Sequence, residues 1–104
     1  LTEAKDVVNF LVETLREYDY KNVNKTQMYR LIKNRDVIGL TNFNTKNIYV
    51  RKDLPFGEYA HTLFHEVSHV YHYYKGDFDA PEEVVDALAY KWHQIVYGLE
   101  EKLK

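Results

Sequence analysis

His65-Glu66-Val67-Ser68-His69 reads H-E-x-x-H, inside a run from Glu58 to Tyr74 that has the periodicity of a helix. Two histidines four apart share one helix face, about 6 Å apart at the backbone, so their rings can converge on a single ion. Glu66 lies roughly 100° further round the helix and can flank such an ion without ligating it. A carboxylate in that position can take a proton from water activated by the metal, as a hydrolytic zinc site requires. Ala60, Leu63, Phe64, Val67, Val70, Tyr71 and Tyr74 recur at helical spacing as one apolar stripe. His61, His65, His69 and His72 fall beside that stripe. The rival reading of these residues is a row of histidines at a solvent boundary.

A zinc site also needs a third protein ligand and an open position. Glu82-Glu83-Val84-Val85-Asp86 supplies candidates behind Pro81, a residue suited to a first helical turn, with Asp79 or Ala80 as cap. Glu82 is preferred to Glu83 because only Glu82 has Asp86 at i+4 on its own face. Glu82 would bind the metal, and Asp86, one turn on, would accept the N–H of a ligand histidine and hold its ring. The helix dipole equally favours acids at a helix start, which is the ordinary reading of Glu82 and Glu83.

The two segments resemble the gluzincins, thermolysin-like metallopeptidases with H-E-x-x-H and a glutamate on the next helix. Among these they look most like the ImmA/IrrE-type family, through Thr62-Leu63-Phe64-His65-Glu66-Val67-Ser68-His69 and Glu82-Glu83-Val84-Val85-Asp86-Ala87-Leu88-Ala89. Ser68 stands where that family usually has glycine, and Val85 where it usually has alanine. The resemblance implies a minimal zincin-like domain with zinc on His65, His69 and Glu82. It also implies Glu66 as general base and a dedicated protein substrate, such as a transcriptional repressor. In gluzincins the strand before the active helix walls the cleft, and its edge can pair with an extended substrate. By resemblance the hairpin described below takes that role.

Other candidates weigh less. His72 extends the motif to a third histidine, but it lies seven residues from His65, about 10 Å along the helix, with no glycine between to turn the chain. His61 meets the same objection from the other side, so both are expected at the rim, and His93 at the surface or in packing. Tyr73 and Tyr90 are candidates for an oxyanion donor, which the sequence does not single out.

The remaining chain must position this pair of helices. Residues 2–18 have the stripe Ala4, Val7, Val8, Leu11, Leu15 and Tyr18 of an amphipathic helix, which Thr2 can cap. A polar break follows from Asp19 to Asn24. Asn24-Lys25-Thr26-Gln27 then looks like a capping box opening a short helix to about Lys33. Residues 36–44 and 47–51 read as an antiparallel hairpin turning at Asn44-Thr45-Lys46-Asn47, with Ile38, Leu40, Ile48 and Val50 on one apolar face. Leu54-Pro55-Phe56-Gly57 leads into the motif helix, and Gly76-Asp77-Phe78-Asp79 turns the chain back. The last helix is expected to end near Tyr97 at Gly98, leaving a charged tail.

The expected class is α+β, one domain over residues 1–104. The chain has no cysteine, hence no disulfide or thiolate site, which fits a reducing compartment and a cytoplasmic location. No apolar run approaches membrane-spanning length. The first residue is Leu1, so the lack of a targeting signal says little. Net charge is −2, too small to imply a nucleic-acid partner. A basic cluster of Lys21, Lys25, Arg30, Lys33 and Arg35 reads as a solvated face, and the two N-terminal helices make a poor DNA-binding pair because the break between them has no glycine. The expected function is a zinc-dependent endopeptidase acting on a protein or peptide. The alternative is a latent or non-catalytic zinc-stabilised interaction module.

Overall fold

A computed structural model describes residues 3–34 and 36–103, with backbone alone for 99–103. Helix α1 (Ala4–Glu17) leads into strand β1 (Asp19–Val23), helix α2 (Lys25–Ile32) and strands β2 (Gly39–Asn42) and β3 (Asn47–Arg51). Two longer helices follow, α3 (Phe56–Tyr74) and α4 (Glu82–Leu103). The class is α+β, as expected. Thr2 and Arg35 lie outside the described residues. The position before α1 is held by Glu3, which makes no side-chain cap bond.

The antiparallel hairpin forms, but it is two-thirds of a three-stranded sheet of order β1-β3-β2. The stretch read as a polar break is the strand β1, parallel to β3 with Asp19 beside Asn47 and Val23 beside Arg51. Its sequence, Asp-Tyr-Lys-Asn-Val, is a poor strand by composition. Pairing overrides this because β3 needs partners for the backbone groups on its second side. The capping box forms as expected: Asn24 Oδ1 accepts from the Gln27 N–H and Gln27 Oε1 from the Asn24 N–H, both at 2.8 Å.

Register decides which strand residues face the motif helix. Thr41 lies opposite Ile48 and Gly39 opposite Val50, and directly opposed residues share a face. Ile48 and Val50 are fully buried in the main core, so Gly39 and Thr41 are on the side facing α3. Leu40 opposes Tyr49 and therefore lies on the other face. The expected single apolar face of Ile38, Leu40, Ile48 and Val50 is thus corrected. Strand β2 is shorter than expected, β3 has the expected bounds, and the turn spans residues 43–46, where Asn42 Oδ1 accepts from the N–H groups of Asn44 and Thr45.

Helices α3 and α4 pack on each other, and α1 lies against both. Phe64, Val67 and Val70 of α3 and Ala89 and Trp92 of α4 are buried together with Val7 of α1. Phe10 of α1 meets the rings of Tyr71 and Trp92, each at 5.6 Å between centroids. Helix α4 departs from expectation at both ends. Pro81 precedes it, its carbonyl accepting from the N–H groups of Val84 and Val85. Gly98 does not end it. One glycine costs a helix about 1 kcal/mol relative to alanine, and the Leu-Glu-Glu-Lys-Leu that follows is a strong helix former. No helix among the described residues is long and apolar enough to cross a membrane.

The parallel register makes a prediction for β1. The Asp19 N–H donates to Lys46 O, and Lys52 N–H donates to Val23 O. By alternation the Lys21 and Val23 amides point at β3, while those of Tyr20 and Asn22 point away. Hydrogen exchange followed by NMR should find Asp19, Lys21 and Val23 slow and Tyr20 and Asn22 fast. Uniformly fast exchange over all five would return the segment to a loop.

Candidate metal centre

The apolar stripe fixes the rotation of α3. With Phe64, Val67 and Val70 turned into the core, His65 and His69 face the first turns of α4, their rings 4.9 Å apart. Ser68, fully buried, gives its hydroxyl to the Phe64 carbonyl at 2.8 Å, so its own helix satisfies it. Val85 is also fully buried.

On α4, Glu82 and Asp86 are one turn apart and both reach His65. Glu82 Oε2 lies 2.8 Å from His65 Nε2, and Glu82 Oε1 3.3 Å from His69 Nε2. Asp86 Oδ1 lies 3.1 Å from His65 Nδ1. The structure thus brings His65, His69, Glu82 and Asp86 together, with Asp86 behind His65. Glu83 is exposed and outside the group.

The donor set is one that could hold a metal ion. One ligand atom from each of His65, His69 and Glu82 lies within 4.8 Å of the others. Two imidazoles and a carboxylate turned on one point can offer lone pairs to a single ion; without one, a ring nitrogen that carries hydrogen can donate to Glu82 instead. Ligand atoms on a tetrahedral zinc stand roughly 3.3–3.5 Å apart; the His69–Glu82 spacing of 3.3 Å meets this, while His65–Glu82 at 2.8 Å is shorter, at hydrogen-bond length. Burial lowers the pKa of His69, opposed by the Glu82 charge, and so favours the neutral imidazole that binds metal.

Glu66 is in contact with the sheet instead. It is 5% exposed, and Thr41 donates its hydroxyl to Glu66 Oε1 at 2.8 Å. Gly39 closes the other side. A Cβ there would stand 2.7 Å from Glu66 Oε2 and 2.7 Å from the Thr62 methyl, so the absence of a side chain lets β2 approach the carboxylate. Burial pushes the Glu66 carboxyl up to about 7, with the Thr41 hydrogen bond and then His65 acting against it. Thr41 and Gly39 went unnoticed in the sequence. Their signal depends on register, which hydrophobic alternation placed on the wrong face.

Triad and carboxylate open on a cleft of about 430 Å³ between β2 and the α3–α4 turn, also lined by Leu40, Phe43, His72, Tyr73 and Phe78. The Arg51 N–H donates to Ile38 O, so by alternation the backbone groups of Gly39 and Thr41 point away from β3, along an edge with no further strand among the described residues. His72 is on the cleft wall, its Nε2 buried without a hydrogen-bond partner. His61 is bonded to Asp86, at 2.8 Å from Oδ1. His93 stacks on Phe64. Of the two tyrosines, Tyr73 borders the cleft; Tyr90 does not and is largely exposed.

Two expectations follow. Glu82→Gln should weaken zinc binding far more than Glu83→Gln, with Asp86→Asn between them at roughly 10- to 100-fold, read by competition with a chromophoric chelator. The reverse order of the two glutamates would move the ligand. The second concerns the metal-free chain. A carboxyl raised from 4.5 to about 7 on folding contributes stability that is complete below pH 4.5 and lost as pH climbs through 7. Glu66→Gln does not titrate, so its stability relative to wild type should rise over that window by on the order of 2–3 kcal/mol. Urea unfolding in EDTA at pH 4.5 and pH 8 measures this, and a constant difference would contradict it.

No protein-family model, no curated protein and no solved structure matches this chain.

Proposed function

We propose that this chain is a zinc-dependent endopeptidase. The observation that carries the reading is Glu66: a buried carboxylate beside the His65, His69 and Glu82 group, opening on the same cleft and yet not part of the group. A structural zinc site favours four protein ligands and has no use for a free carboxylate next to it; a catalytic one favours three and a base. This weighs against the metal-stabilised interaction module. The gluzincin resemblance rests on the motif residues and supports the same choice. Its ImmA/IrrE flavour points to a dedicated protein substrate, for instance a repressor.

When bound, zinc supplies Lewis acidity, making a water acidic near neutral pH and polarising a carbonyl. The remaining roles belong to the chain. His65, His69 and Glu82 hold the ion, and Asp86 fixes the His65 ring. Glu66 takes the proton of the attacking water and returns it to the departing amide nitrogen as the C–N bond breaks. Thr41 holds Oε1, which fixes the plane of the carboxylate. The outward backbone groups of Gly39 and Thr41 bind an extended peptide as an added strand, setting its scissile bond across the mouth of the site.

Glu66→Gln should leave zinc content and circular dichroism unchanged and reduce cleavage by about 10²–10⁴-fold, since glutamine keeps the shape but takes no proton. The assay must include candidate protein partners as well as generic peptides. A partner that wild type binds and never cleaves, and that Glu66→Gln binds equally well, would favour the interaction module for that partner.

A further inference from the structure

We propose that His61 is a positioning residue of the metal centre, acting on His65 through Asp86. The inference rests on the metal-binding reading of His65, His69 and Glu82. One oxygen of Asp86 serves two histidines: Oδ1 lies 2.8 Å from His61 Nε2 and 3.1 Å from His65 Nδ1. His61 is four residues before His65, so the two rings stand one turn apart on the same face of α3 and bracket a carboxylate reaching across from α4.

Asp86 needs such a bracket. Its side chain is 56% exposed, so water competes for its oxygens, and its two side-chain torsions are free to swing it away from His65. The shorter of its two contacts is the one to His61. His61 is in turn confined, with His93 tilted against it at 6.2 Å and Tyr90 edge-on at 6.4 Å. His93 is itself stacked on Phe64 of the core at 5.2 Å.

The consequence for His65 is chemical. An ionised Asp86 only accepts, so each ring nitrogen facing it must carry hydrogen. In His61 that nitrogen is Nε2; in His65 it is Nδ1. A neutral His65 with hydrogen on Nδ1 has its lone pair on Nε2, the atom turned towards Glu82. By keeping Asp86 in place, His61 selects the metal-binding tautomer and orientation of His65.

A plain interhelical hydrogen bond from His61 to Asp86 would have a different signature, and zinc affinity tells them apart without any measure of catalysis. The probe is Zn²⁺ set by a chelator buffer, with His61→Ala, Asp86→Ala, the double variant, His61→Gln and His61→Asn. Glutamine presents its amide nitrogen near the place of Nε2, whereas asparagine is too short to reach Asp86. His61→Ala and His61→Asn should weaken Zn²⁺ binding about 3- to 10-fold, less than loss of Asp86 because His61 is one contact further out. His61→Gln should stay within about twofold of wild type, and His61→Ala should have no further effect once Asp86 is alanine. Equal affinities for the Asn and Gln variants, or additive effects of His61→Ala and Asp86→Ala, would overturn the proposal. The Asn and Gln pair decides even if His61→Ala folds poorly. If wild type itself binds no zinc, the metal-site reading falls; if it binds and the variants behave additively, only the role of His61 does.

Discussion

A carboxylate enclosed between a helix and a strand edge is tolerable only with a donor for its oxygens and empty space where a neighbouring side chain would be. Glu66 has both from β2, the hydroxyl of Thr41 and the bare α-carbon of Gly39. Much else follows from that contact. It sets the distance between β2 and α3, leaves the outer edge of β2 along the cleft, and keeps the acid next to His65 and His69 without joining their group. The cost is a carboxyl raised to about 7, a folded state that would be more stable with a neutral group there. Stability given up at one buried polar residue is typical of a site shaped for chemistry.

The ligand group follows the same economy of placement. Helix α3 contributes two histidines from its middle, where the apolar stripe holds its rotation, and α4 contributes a glutamate and an aspartate from its first two turns. Val67 and Val70 of α3 share one core cluster with Ala89 and Trp92 of α4, which sets the two helices close enough for side chains of ordinary length to meet.

What could be read from the sequence had a helical period. His65, His69, Glu82 and Asp86 lie in segments whose apolar residues recur every three or four positions, and that recurrence fixes which residues share a face. The capping box at Asn24 was equally legible, because its two hydrogen bonds close within four residues. The sheet was not. Strand β1 has two good strand formers in five residues and exists through pairing with a segment more than twenty residues away. Strand β2 shows apolar residues at 38 and 40, so alternation pointed them at the core, whereas register turned Gly39 and Thr41 inward. Local spacing therefore revealed the His65, His69 and Glu82 group but not the residues that surround Glu66. The persistence of α4 through Gly98 was missed for a related reason: a glycine is a weak stop, and the residues after it outweighed it.

Glu82 is the first residue of α4, with Pro81 immediately before it, and the first backbone bonds of the helix run from Val84 and Val85 to the Pro81 carbonyl. His65 and His69 sit mid-helix against the core, but Glu82 hangs from a helix end, the part of a helix that opens most readily. On the proposed metal-binding reading, exchange of a bound ion would be governed by the fraying of one turn and not by opening of the core. The residence time of such an ion would then be a local property, set by how often the Pro81–Val84 turn unwinds while the remainder of the fold stays intact.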